Sequence, residues 1–220
     1  MYERRTVSSL PQLRAAYNAI YARAEYGERA ALYGKVLRWL APDPEAWLLD
    51  VGCGTGPFAA YAAARGHPVV GLDLADTALH RARERGVPRL IHAQGERLPF
   101  AADAWRYAVC LGNLEHFLEP LAGVRELARV LAPGGRVAVM LPNAYYSGDL
   151  WKVVRTGRGP DHHQAIDRFA TCAEWRDLLE EGGLEVLRVH RWDKGKWWKR
   201  VFPFHLAYHF VYVATPARAD

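Results

Sequence analysis

The stretch Leu48-Leu49-Asp50-Val51-Gly52-Cys53-Gly54-Thr55-Gly56-Pro57-Phe58 constrains this chain more than any other. An apolar run ends in an acid, three alternate glycines follow, and a helical pattern takes over from Ala59 to Arg65. The run around Val51 reads as a buried parallel strand, and the segment after the glycines as the helix that packs back onto it. Glycines at 52, 54 and 56 strip the Cβ atoms from one side of the turn, so the backbone can press against a flat or charged ligand. A dinucleotide fingerprint, Gly-x-Gly-x-x-Gly, needs its third glycine at 57, where this chain has proline, so that reading is weak. A strand-to-helix packing turn that holds no ligand is the other reading.

A chain of 220 residues, half of them hydrophobic, can bury one substantial core, which predicts a single domain. No stretch has the apolar length of a membrane span, and Met1-Tyr2-Glu3-Arg4-Arg5 leads into no apolar signal core; a soluble, cytoplasmic protein is expected. Cys53, Cys110 and Cys172 are far apart and form no Cys-x-x-Cys, so neither a disulfide framework nor a metal site is expected.

Further along, Gly66 to Asp73 is a second apolar run closing on an acid, 17 residues beyond Gly56, the right distance for the next strand of a βαβ unit. A carboxylate at Asp73 can accept from both hydroxyls of a ribose, or it can favour the start of a helix over Asp76 to Arg85. Pro88 to His92 reads as a third strand and Trp105 to Gly112 as a fourth. A helix is predicted from Pro120 to Leu131, stopped by Pro133-Gly134-Gly135 and followed by a fifth strand. Thr171-Cys172-Ala173-Glu174 is a capping box for a helix to Glu181, with final strands over Leu184 to His190 and Phe204 to Val213.

Four motifs in this order resemble the class I S-adenosylmethionine (SAM)-dependent methyltransferases, in the ubiquinone-biosynthesis-like, type 11 branch. They are Asp50-x-Gly-x-Gly-x-Gly56, the strand ending in Asp73, Gln94-Gly95-Glu96-Arg97-Leu98-Pro99-Phe100, and Arg129-Val130-Leu131-Ala132-Pro133-Gly134-Gly135. The resemblance implies an α/β fold with a doubly wound, seven-stranded, mainly parallel sheet. It implies SAM as cofactor and S-adenosyl-L-homocysteine as product. Carried over residue by residue, Asp50, Gly52, Gly54 and Gly56 would hold the methionine part, Asp73 the ribose, and Gln94 and Gly95 the adenine. Leu111 and Asn113 would border the reacting methyl group, and Cys53, Leu74 and Glu96 complete the cofactor set. Two departures stand out: Gln94 replaces the usual Asp, a neutral and weaker acceptor, and Trp105-Arg106 replaces Phe-Asp.

The same resemblance divides the chain into an N-terminal helical cover (1–40), a SAM-binding core (41–142), an acceptor lid (143–170), and a last helix with two strands (171–220). In the cover, Tyr17 and Tyr21 lie one helical turn apart, with Tyr26 beyond them and Gly27 as a break; they either face the cofactor and substrate or pack as ordinary amphipathic helices. The lid has no clear period and holds Tyr145, Tyr146 and Trp151 as substrate candidates, with His162 and His163 as base candidates against a solvated loop. His116 is a third base candidate, or a residue that packs at the start of a helix. Between the last two strands, Arg191 to Arg200 interleaves bases with tryptophans, as do sites for phosphates, nucleic acid or anionic membranes; a solvated edge loop fits equally. The expected function is methyl transfer to an oxygen or carbon of a small or amphiphilic acceptor. An RNA methyltransferase is the enzymatic rival, nucleic acid being the less favoured partner, and a catalytically silent SAM-binding protein is another reading. The oligomeric state is left open.

Overall fold

The computed structural model describes residues 1–23, 29–157, 164–194 and 201–217. In chain order the elements are β1 (Tyr2–Arg5), α1 (Leu10–Arg23), α2 (Ala30–Leu40), β2 (Leu48–Val51), α3 (Pro57–Ala63), β3 (Val69–Asp73), α4 (Asp76–Glu84) and β4 (Leu90–His92). Then follow β5 (Trp105–Leu111), α5 (Pro120–Val130), β6 (Leu131–Pro142), α6 (Ser147–Thr156), β7 (Ile166–Phe169), α7 (Cys172–Glu181), β8 (Leu184–Trp192) and β9 (His209–Pro216).

Seven strands form one sheet in the order β4-β3-β2-β5-β6-β9-β8, with β9 antiparallel to both of its neighbours and the other strands parallel. Alternation along the strands builds two cores. Leu49 and Val51 of β2, with Cys110, Val137 and Val139, pack against Val124 and Leu127 of α5 and Trp175 and Leu179 of α7. Leu48, Val109, Ala138 and Met140 face the other way, onto Leu32 and Val36 of α2 and Phe58 and Ala62 of α3. Strands buried on both faces read as continuous apolar runs, which is why β2, β3 and β5 were visible without any alternation of polarity. Progress along the sheet reverses between β2 and β5, so a crevice opens beyond the carboxyl ends of these strands.

The capping box forms as expected, with the Thr171 hydroxyl accepting from Glu174 N–H at 3.2 Å and Glu174 accepting from Thr171 N–H at 2.8 Å. Elsewhere the structure corrects the sequence reading. The segment after Asn143, expected to be without period, contains the helix α6, and no residue of α6 is buried. Its apolar side chains point outward, so no core-facing stripe marked it. The N-terminal residues form β1, which pairs antiparallel with β7 in a second, two-stranded sheet. Tyr-Glu-Arg-Arg is exposed on both faces and carries no strand signal of its own; pairing makes it a strand. The helix from Pro120 ends at Val130, and Leu131 already belongs to β6. The last strand begins at His209, because Phe204–Leu206 is a 3-10 turn. Gly27 and Tyr26 lie outside the described residues.

Candidate functional site

The crevice at the switch point holds a cavity of about 560 Å³, walled by the β2–α3 turn, the ends of β5 and β6, α1, the start of α2, and residues from α6, β7 and the β8–β9 connection. The turn takes the shape its glycines allow: φ is +68° at Gly52, +55° at Gly54 and +73° at Gly56. A Cβ on Gly52 would fall 2.1 Å from Asn113 Nδ2, and one on Gly54 would fall 3.0 Å from the Tyr21 hydroxyl. Both glycines therefore let other groups approach the backbone closely. Gly56 serves packing instead, its missing Cβ making room for Val87 and Ala82.

Asp50 lies on this wall, 2 % exposed, and its Oδ2 has no hydrogen-bond partner. Burial, and then the charge of nearby Asp73, push its carboxyl up to about 8. Such a group is stabilised by a cation placed against it. Asp73 at the end of β3 is also buried, which raises its pKa against the opposing effect of its bonds: Oδ2 accepts from Gly54 N–H and Oδ1 from Ala75 N–H, each at 2.8 Å. It ties the glycine turn to β3. Cys53 is pushed well up by burial and by these two acids, so its thiol stays protonated.

Glu115 and His116 line the same cavity, in a 3-10 turn after β5. His116 Nδ1 meets the Ile166 carbonyl, which can only accept, so the neutral ring carries its proton on Nδ1 and keeps a lone pair on Nε2. Glu115 Oε1 lies 3.8 Å from that Nε2, and its Oε2 has no partner. Burial raises the Glu115 carboxyl, with His116 opposing.

Tyr17 and Tyr21 of α1 come over the site, their rings 6.2 Å apart, and Tyr17 packs 5.9 Å from His116. Beneath them Asp73, Leu74, Gln94, Gly95, Glu96 and Asn113 line a narrow chamber of about 40 Å³. Gly95 lets the Phe117 ring in to where its own Cβ would stand, and Glu96 accepts from Leu118 N–H at 2.8 Å. Leu111 borders the larger cavity. Among the lid candidates, Tyr145 and Trp151 are exposed outside the cavity, while Tyr146 packs edge-on against Tyr208, which does line it. His162 and His163 lie outside the described residues. Sequence reasoning missed Arg29, Thr55, Glu115, Asn143, Asp149, Gln164, Asp167, Lys194 and His209, all on the cavity wall. Thr55 and Glu115 adjoin motif residues and so had a local signal; the others come from distant segments and had none.

The methyltransferase domain family matches residues 49–139, the glycine turn through β6. Over those residues the chain resembles the class I SAM-dependent methyltransferases of the type 11 branch. It is similar to a demethylmenaquinone methyltransferase of Corynebacterium kroppenstedtii, 39 % identical over 100 residues covering 46 % of this chain and 43 % of that protein. The chain spans about half the length of the curated relatives it matches first. Among solved structures it resembles the [4+2]-cyclase SpnF, with a TM-score of 0.70, 19 % identity and 98 % of each chain covered. It also resembles the magnesium protoporphyrin IX methyltransferase of Synechocystis PCC 6803 with bound S-adenosyl-L-homocysteine, with a TM-score of 0.69, 16 % identity, and 95 % and 100 % of the two chains covered. These likenesses show the fold. The residues of this methyltransferase domain fit the family's cofactor on their own chemistry: a buried acid with one oxygen free for a cation, glycines open to close approach, and a chamber bordered by Asp73, Gln94 and Gly95.

Proposed function

We propose that this protein transfers a methyl group from SAM to an oxygen or carbon atom of a small or amphiphilic acceptor. The observation that carries the reading is Asp50, a buried carboxyl whose Oδ2 has no hydrogen-bond partner, on the wall of a cavity that the Glu115–His116 pair also lines. SAM supplies a methyl carbon already activated by its sulfonium charge. Asp50 would counter the cationic amino end, Arg29 the carboxylate, and Asp73 the ribose, with Gln94 and the Gly95 N–H toward the adenine. Tyr17 and Tyr21 offer ring faces and hydroxyls over the same space. His116, its Nδ1–H held by the Ile166 carbonyl, offers Nε2 to take the acceptor's proton, and Glu115 beside it stabilises the imidazolium that results. His162 and His163 are the alternative bases, and Tyr145, Tyr146 and Trp151 belong to the acceptor side. Residues around the outer cavity, Asn143, Asp149, Gln164, Asp167 and His209, are polar and suit the reacting head of an amphiphile.

Calorimetry with SAM and S-adenosyl-L-homocysteine, followed by a screen of cell extracts for label transferred from methyl-labelled SAM, tests the reading. No heat with either compound overturns it. Heat without label transfer leaves the silent binder. His116→Ala should keep SAM binding within a few-fold and lower the transfer rate by roughly a hundredfold or more, the usual worth of a general base.

A further inference from the structure

We infer that α6 and the turn beside it form a docking face for an anionic lipid bilayer, placed at the mouth of the cavity. A ten-residue helix with no buried residue contributes nothing to the protein core. It nevertheless exposes Trp151 (67 %), Val154 (77 %), Val153 (42 %) and Leu150 (39 %) to solvent. Between these stand Lys152 and Arg155, both exposed and neither in an ion pair with a carboxylate among the described residues. From Leu150 to Thr156 the helix has two cations and no acid, and its one acid, Asp149, lies on the cavity wall.

The neighbouring turn adds to the same side of the fold. Asn143, at the foot of α6, donates to the His205 and Ala207 carbonyls at 2.7 and 2.8 Å, holding the Phe204–Leu206 turn. Phe204 is 37 % exposed there, and Val201 and Phe202 just before it are 82 % and 38 % exposed. Tyr146, which precedes the helix, packs 4.8 Å from Tyr208, and Lys194 sits 4.0 Å from the same ring; Tyr208 and Lys194 both line the cavity.

The chemistry separates a bilayer from a protein partner. The buried centre of a protein interface is depleted in charge, whereas a helix lying in a membrane interface puts tryptophan and aliphatic side chains beside lysine and arginine. Excess positive charge on the face selects anionic lipid. An amphiphilic molecule lying in the bilayer would then have its head beside the polar outer cavity.

The test is co-sedimentation with vesicles of phosphatidylcholine alone and of phosphatidylcholine mixed with phosphatidylglycerol, with neither SAM nor acceptor present, so that its failure is separate from failure of the methyltransferase reading. We expect binding to the mixed vesicles and little to the neutral ones. Trp151→Glu with Val154→Glu should lower partitioning about tenfold or more, and Lys152→Gln and Arg155→Gln about fivefold each. Thermal unfolding of the variants should match wild type, because all four side chains are exposed. Absence of binding to either vesicle overturns the proposal, as does binding that the α6 substitutions leave unchanged. Concentration-dependent dimerisation abolished by Trp151→Glu, without vesicle binding, would overturn it in favour of a second copy of the chain.

Discussion

At Asp50, burial and the Asp73 carboxylate act in one direction, moving the carboxyl from the ordinary 3.8 to about 8. The folded state holds a proton that the unfolded chain has released across this interval. Stability present below pH 4 is therefore lost as pH rises towards 8. Asp50→Asn cannot ionise, so urea unfolding at a series of pH values should show it gaining on wild type near pH 8 and not near pH 4. The same substitution should weaken SAM binding about tenfold or more, since it removes the buried charge that would face the ligand's amino group. Coincident pH curves for the two proteins would refute the assignment. Asp73 differs from Asp50 in having both oxygens engaged by backbone N–H groups, so it works on the turn as well as facing the chamber.

Among the elements, α1 roofs the site and the β1–β7 pair clamps its side. Only Leu13 of α1 is buried, and Tyr17 and Tyr21 of this helix roof a chamber of about 40 Å³. A helix held by one buried side chain opens more readily than one packed into the core, and a ligand beneath it would change that opening. Hydrogen exchange of α1 amides should therefore change on addition of SAM more than that of α5, whose inner face is buried against the sheet. Equal responses in both helices would exclude a moving roof. The β1–β7 pair is clamped by Arg168, which is 1 % exposed, pairs with Glu3 at 2.6 Å and donates to the Glu115, Phe117 and Leu118 carbonyls. Arg168→Leu leaves those carbonyls without this donor, while the exposed Glu3 keeps Arg5 at 2.7 Å, and urea unfolding should register a loss of about 1–3 kcal/mol, the range for an unsatisfied buried acceptor. A loss under about 1 kcal/mol would mean that the clamp is ornamental. None of this was visible in Tyr2–Arg5, whose residues are exposed and become a strand only by pairing.

Over the whole molecule, the switch point of the sheet gathers groups from both cores into one cavity, so ligand binding and global stability are linked. SAM at a hundredfold excess over its Kd should add about 2.7 kcal/mol of stability. For a chain of this size that raises Tm by roughly 5–10 °C, measurable by a thermal melt. An unchanged melt at millimolar SAM would contradict the site. Among the described residues no helix is long and apolar enough to cross a membrane.

Sequence alone determined the βα units from Leu48 to Met140, the ligand class of the glycine turn, and the capped helix at Thr171. Each depends on interactions within a few residues: an apolar run buried on both faces, positive φ at alternate glycines, a hydroxyl three residues from a glutamate. Tertiary structure decided that Glu115 would be buried beside His116, that Arg29, Asp149, Asp167 and Lys194 would meet in one cavity, and that α6 would keep its apolar side chains in solvent. Burial and charge pairing depend on which distant segments the topology brings together, and no local period records that.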